Sequence, residues 1–119
     1  MQDILLVDDE PQFLMSLADG LKSIGGRKCN VFTAKNGKRA VEMLRTAVFD
    51  VVVTDLRMPE MNGFELIEHL GKYHPDIPVI VMTAFSDYSI ESMVRNNLVK
   101  HIAEKPIDLN VIASKIFAA

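Results

Sequence analysis

Four groups of residues in this chain have the side-chain types that chemistry uses, and each stands at the end of a short apolar run. Asp8-Asp9-Glu10 follow Ile4–Val7, Asp55 follows Val51–Thr54, Thr83-Ala84 follow Pro78–Met82, and Lys105-Pro106 stand just beyond Lys100–Ala103. Carboxylates that converge repel one another, and their pKa values rise unless a cation stands among them. A hard divalent ion offsets that repulsion. Few dedicated oxygens and no histidine at a matching strand end favour Mg²⁺, which keeps several waters and takes one or two carboxylates together with phosphate oxygens, over Ca²⁺, which wants more protein ligands. At such a site a carboxylate can attack phosphorus, and Asp55 is the candidate nucleophile. Lys105 and Thr83 would then supply positive charge and a hydrogen bond to the remaining phosphoryl oxygens.

These residues can act together only if the elements between them bring the run ends to one place. The runs Ile4–Val7, Val31–Ala34, Val51–Thr54, Pro78–Met82 and, more weakly, Lys100–Ala103 are each followed by a segment of helical period, which reads as five β-α units. Continuous hydrophobicity in the first, third and fourth runs marks strands covered on both faces, the habit of a parallel sheet, so these three are expected at its centre. The helical stripes are Phe13, Leu14, Leu17, Leu21 and Ile24; then Ala40, Val41, Leu44 and Ala47; then Phe64, Ile67, Glu68 and Leu70. A fourth stripe, Ile90, Met93 and Val94, follows a cap at Ser86 or Asp87, and a fifth, Val111, Ile112, Ile116 and Phe117, follows Asp108. Right-handed crossovers then give a three-layer α/β sandwich whose site lies beyond the carboxyl ends of the strands.

Composition sets the frame for that site. The 119 residues match one domain, read as 1–119 without an internal boundary or repeat. The chain is 49% hydrophobic and 24% charged, and it carries no apolar run long enough to span a bilayer. Cys29 is the single cysteine, which excludes an intramolecular disulfide and is read as core filler. A net charge of −3 argues against direct nucleic-acid binding. The start, Met1-Gln2-Asp3, shows no secretory pattern, so a cytoplasmic location is expected.

With these residues in view, the chain resembles the receiver domain of bacterial two-component response regulators over nearly its whole length. The resemblance is carried by Ile4-Leu5-Leu6-Val7-Asp8-Asp9-Glu10, by the stretch from Asp50 through Asp55 to Asn62-Gly63, by Val79-Ile80-Val81-Met82-Thr83-Ala84, and by Glu104-Lys105-Pro106. It implies a flavodoxin-like (βα)5 fold with strand order 2-1-3-4-5. It also implies that Asp55 takes a phosphoryl group from the phosphohistidine of a sensor histidine kinase or phosphotransfer protein. By the same resemblance Asp9, Asp55 and the Arg57 carbonyl bind Mg²⁺ directly, with Asp8 acting through water. Lys105 would pair with the phosphoryl group, following a cis Lys105-Pro106 bond. Thr83 would turn inward and remodel the face made by the fourth helical segment, the fifth strand and the fifth helical segment, where an output domain or partner protein docks. A homodimer through the fourth and fifth helical segments is compatible with that arrangement. Such a module is not an enzyme in the usual sense, since it catalyses only its own phosphorylation and dephosphorylation.

The sequence departs from the family pattern at Ile102, which stands three positions before the lysine where an aromatic residue is usual, and at Arg95-Asn96-Asn97-Leu98, which replace a small Gly-Ala pair. Arg57 and Phe85, two positions after the acceptor and the threonine, are expected to tune hydrolysis of the acyl phosphate, with bulky Phe85 hindering the attacking water. Arg57 also weighs against a Mg²⁺-dependent phosphohydrolase, which carries a second acid at that position. A receiver fold acting as a phosphorylation-independent docking module is the other alternative. Among the remaining groups, Asp50, Asp76 and Asp87 are read as turn and cap residues, and His69, His74 and His101 as too scattered for a metal site.

Overall fold

The continuous apolar runs become the buried strands of a parallel sheet because both of their faces are covered by helices. The structure is a computed structural model and describes residues 2–58, 61–84 and 98–117. Its elements are β1 (Gln2–Val7), α1 (Pro11–Gly25), a short 3-10 turn (Gly26–Lys28), β2 (Cys29–Ala34), α2 (Gly37–Thr46), β3 (Val51–Asp55), α3 (Gly63–Tyr73), β4 (Val79–Thr83), β5 (Val99–Glu104) and α4 (Leu109–Phe117). The fourth stripe of the sequence, with Ser86, Asp87, Ile90, Met93 and Val94, lies outside the described residues, as do Phe85 and Arg95–Asn97; α4 is the fifth helical segment.

The sheet has the order β2-β1-β3-β4-β5 with every pairing parallel. Alternate side chains sort strictly to its two faces. Leu5, Val7, Val52, Val79 and Val81 pack with Ala40, Val41, Leu44, Leu66, Ile67 and Leu70 of α2 and α3. Ile4, Leu6, Val51, Val53, Ile80 and Met82 face the other way, onto Leu14, Leu17, Leu21, Ile112 and Ile116 of α1 and α4. Each fully buried Val, Leu or Ile contributes about 1.5–3 kcal/mol of transfer free energy, so the two cores together hold the layers. Cys29 is buried in the second core, as expected of a packing residue.

Local signals set the ends of the helices. Pro11 opens α1, and Gly26, at φ +57°, closes it with its N–H donating to the Lys22 carbonyl. Asn62 caps α3 in a reciprocal pair with Glu65, and the Asp108 carboxylate accepts from the N–H groups of Asn110 and Val111 at the start of α4. Four stripe residues depart from expectation: Glu68 of α3 is exposed, while the neighbouring Leu66 is the buried one, and three others stand near helix ends. Ile24 and Val111 are exposed, and Ala47 caps the end of α2 in solvent, because the neighbouring layer does not extend over these helix ends. The strands β1, β2 and β5 begin earlier than the apolar runs suggest, at Gln2, Cys29 and Val99, where backbone pairing with the neighbouring strand continues beyond the run.

Candidate functional site

The carboxyl ends of β1, β3, β4 and β5 converge, and the predicted residues arrive there by different means. Asp8 is the first residue beyond β1, fully buried, with its N–H donating to the Ala34 carbonyl of β2 at 3.2 Å. Its Oδ1 accepts the Glu10 N–H at 2.9 Å, which fixes the carboxylate over the entry to α1. Asp55 is the last residue of β3 and 7% exposed, and its Oδ1 accepts the Arg57 N–H at 3.3 Å. The chain beyond it turns back so closely that the Gly63 N–H donates to the Leu56 carbonyl at 3.0 Å. A Cβ on Gly63 would press on the Asp55 carbonyl and the Leu56 Cα, so this position requires glycine.

Lys105 reaches the acidic end from β5. Its Nζ lies 3.0 Å from Asp8 Oδ2 and 3.1 Å from Asp55 Oδ2, both within charge-assisted hydrogen-bond distance, and 3.8 Å from Glu10 Oε1. The Lys105–Pro106 peptide is cis, in agreement with the expectation from the family resemblance. The Lys105 N–H donates to the Thr83 carbonyl at 2.7 Å, which ties the end of β4 to the end of β5. Thr83 itself is buried at the site edge. Two further side chains bear on Lys105: Glu10, already among the acidic residues that the sequence places at this edge but without a role of its own, and Phe13 of α1, which sequence reasoning had not assigned to the site and whose ring centroid is 4.5 Å from Nζ. Phe13 carried only the signal of a core stripe, and nothing local in the sequence says that its ring meets a lysine from the far end of the chain.

The electrostatics follow from burial and charge. Burial raises the pKa of Asp8 above the ordinary aspartate value, and although the Glu10 N–H and Lys105 favour the carboxylate, they do not cancel it. For Lys105, burial acts to lower the pKa, but hydrogen bonds to Asp8 and Asp55 outweigh it and the ammonium form is stabilised. The site is therefore a partly compensated acidic cluster held around one cation.

Residues fit for a hard metal ion are present. Asp8, Asp9 and Glu10 each offer a carboxylate oxygen, and these oxygens lie within 4.8 Å of one another. All are hard oxygen donors, the chemistry that Mg²⁺ prefers. Asp9 and Glu10 are exposed and Asp8 is buried, so the cluster opens to solvent on one side. Beyond Asp55, Leu56, Arg57, Met58, Asn62 and Phe64 line a cavity of about 350 Å³. Among the described residues no buried side-chain nitrogen or oxygen lacks a hydrogen-bond partner.

Ile102, at the position where the family usually has an aromatic, is half-buried against the core that α2 and α3 cover. His101 points to the opposite face, toward α4, where burial and the nearby Lys115 lower its pKa. His69 and His74 are neighbours, with ring centroids 6.0 Å apart, so of the three scattered histidines two come together at the end of α3.

Comparison with known proteins agrees with this geometry. The family model described as response regulator receiver domain matches residues 4–117. The transcriptional regulatory protein ZraR of Klebsiella oxytoca is 39% identical over 110 residues, which cover 91% of this chain and 24% of that protein. The response regulator protein PilR of Pseudomonas aeruginosa is 31% identical over 120 residues, covering 99% of this chain and 26% of PilR. The chain thus spans about a quarter of the length of these curated relatives. Among solved structures, the response regulator TrrA of Thermotoga maritima, in complex with Mg²⁺-BeF, superposes with a TM-score of 0.84 at 28% identity, covering 98% of this chain and 96% of TrrA. A CheY-like receiver domain protein from Methanospirillum hungatei, 24% identical, shares the fold with a TM-score of 0.88 over 98% of this chain and 90% of its own.

Proposed function

Since the chain belongs to the response regulator receiver family, and is thus a phosphorylation signalling module of two-component systems, we propose that its phosphoryl acceptor is Asp55, with Lys105 and Thr83 as the groups that receive the transferred phosphoryl oxygens. The observation that carries this reading is the position of the Lys105 ammonium, held between Asp8 Oδ2 at 3.0 Å and Asp55 Oδ2 at 3.1 Å. A carboxylate so buried and so paired is oriented, and its partner cation is already where the charge of an incoming phosphoryl group would develop.

In the reaction one Asp55 carboxylate oxygen forms a bond to phosphorus while the phosphorus–nitrogen bond of a phosphohistidine breaks. The imidazole nitrogen leaves with the electron pair and takes a proton from solvent. Lys105 follows the negative charge from Asp55 Oδ2 to a phosphoryl oxygen, and the Thr83 hydroxyl donates to another. Receiver domains bind Mg²⁺ at their acidic pocket, and here Asp8, Asp9, Asp55 and the Arg57 carbonyl are the proposed holders, with Glu10 beside them. When bound, the ion supplies charge neutralisation between the anionic nucleophile and the anionic donor.

We read residues 1–119 as one receiver domain that phosphorylates and dephosphorylates itself and turns over no other substrate. Its partners would be a sensor histidine kinase or phosphotransfer protein and an output domain, in the cytoplasm; response regulators related to it pair with kinases and carry output domains. No described helix is long and apolar enough to cross a membrane. The output surface would be the face of the fourth helical segment, β5 and α4, which is also where a homodimer would form.

Incubation with Mg²⁺ and acetyl phosphate, read by intact mass, tests the acceptor. The expected result is a gain of one phosphoryl group in the parent that needs Mg²⁺ and is absent in Asp55→Ala. If no adduct forms at short times and Mg²⁺ does not bind, the phosphoacceptor reading is wrong and a constitutive docking module takes its place.

A further inference from the structure

We infer that Phe13 is a positioning residue for Lys105, and that the first turn of α1 thereby sets how readily the ammonium passes from Asp55 to an incoming phosphoryl group; the second half rests on the acceptor reading above. A lysine ammonium has three donors and no preferred plane, so its place is decided by what surrounds it. Asp8 and Asp55 take it on one side, at 3.0 and 3.1 Å. On the α1 side are the face of Phe13, 4.5 Å from Nζ to the ring centroid, and the exposed carboxylate of Glu10, at 3.8 Å.

These two neighbours act in opposite directions. The Glu10 side chain is 67% exposed, so an ammonium drawn to it moves toward solvent and away from Asp55. The Phe13 ring is half-buried and packs against the core beneath α1, so it draws the cation toward the protein and not toward solvent. Its negative face attracts the cation without a directional hydrogen bond, and its bulk excludes water from that side. The Lys105 side chain is accordingly only 15% exposed despite carrying a charge. A ring contact also suits a cation that must shift by a bond length or so during transfer, because cation–π attraction varies slowly as the ammonium slides. With leucine in place of Phe13 the apolar packing would largely remain, but Glu10 would be the only attraction on the α1 side.

The test uses Phe13→Leu and Phe13→Tyr. In Phe13→Leu the rate of phosphorylation by acetyl phosphate falls roughly two- to fivefold, the range a cation–π contact supports, while Phe13→Tyr restores it. Proton NMR gives a readout that packing alone would not move: the ring current displaces the Lys105 ε-methylene and ammonium signals from ordinary lysine positions in the parent and in Phe13→Tyr, and the displacement is lost in Phe13→Leu. Adding Phe13→Leu to Lys105→Met lowers the rate no further. An unchanged rate in Phe13→Leu overturns the inference, and so does an equal loss in the Lys105→Met background, which would mean that Phe13 acts through packing. If the parent itself forms no adduct, the acceptor reading has failed, and the lysine signals alone decide whether the ring holds Lys105.

Discussion

The acidic half of the site and its basic half are built differently. Asp8 and Asp55 are placed by backbone: each carboxylate accepts a main-chain N–H two residues on, from Glu10 and Arg57, and the loop behind Asp55 is closed by the Gly63 N–H on the Leu56 carbonyl. Among the described residues, the Lys105 side chain is placed by what it touches, two carboxylates at hydrogen-bond distance, a third at 3.8 Å and one aromatic ring. The first half is therefore rigid and the second can move over short distances. That division suits a switch, in which the nucleophile stays still while the compensating charge follows the phosphoryl group.

The largest effect should come from breaking the rigid half through its backbone. In Gly63→Ala the added methyl meets main-chain atoms of Asp55 and Leu56, which cannot rotate away as a side chain could. Urea denaturation should show a loss of about 2–3 kcal/mol, typical of overpacking, together with a fall in phosphorylation that excess Mg²⁺ does not recover. A variant of parental stability would mean that the turn behind Asp55 yields easily, and the proposed rigidity would be gone.

Breaking the mobile half should cost less in stability and more in rate. Lys105→Met leaves the buried Asp8 and the nearly buried Asp55 without their shared cation, at a cost of about 1–2 kcal/mol without Mg²⁺. The hydrogen bonds to Asp8 and Asp55 hold the Lys105 pKa above its ordinary value. The stabilisation they give is thus fully present below the ordinary lysine value and is lost as pH rises through the higher folded value; the parent should lose its advantage over Lys105→Met only in strongly alkaline solution. Phosphorylation by acetyl phosphate should slow on the order of 100-fold, as when one transition-state donor is removed. A rate within a few-fold of the parent would assign the charge-following role to another group.

The same division explains what was legible in the sequence. The five strands, the central place of the first, third and fourth, and the strand-end positions of Asp8, Asp55, Thr83 and Lys105 follow from local apolar runs and the rule that α/β sites lie at carboxyl edges, the full order β2-β1-β3-β4-β5 is implied by the receiver resemblance, and all are found. The backbone-placed carboxylates sit beside their fixing groups in sequence, two residues away, so the pattern Asp8-Asp9-Glu10 carries its own signal. The neighbours of Lys105 do not. Phe13 read as one more stripe residue, because a helix period reports which side is apolar and not which distant cation will lie against it. Ile24 and Val111 kept the period of their helices but are exposed, since periodicity does not say how far the next layer extends.

The smallest effect, and the one that separates burial from pairing, belongs to Asp8. Its pKa is raised by burial, in spite of the Glu10 N–H and Lys105. Ionising it therefore costs the folded state: the associated stability is fully present below the ordinary value of 3.8 and is lost as pH rises through the higher folded value. Asp8→Asn removes the charge, keeps an oxygen for the Glu10 N–H and leaves Lys105 its contact with Asp55. Without Mg²⁺ the variant should be about 1 kcal/mol more stable than the parent at neutral pH, with the difference vanishing as pH falls to about 4. Added Mg²⁺ should stabilise the parent more than the variant, because Asp9 and Asp55 remain to hold the ion but the buried carboxylate that it would compensate is gone. A variant less stable than the parent at neutral pH would show that the Lys105 ammonium already compensates Asp8 in full, and the acidic half would then have no unmet need for a metal ion at this position.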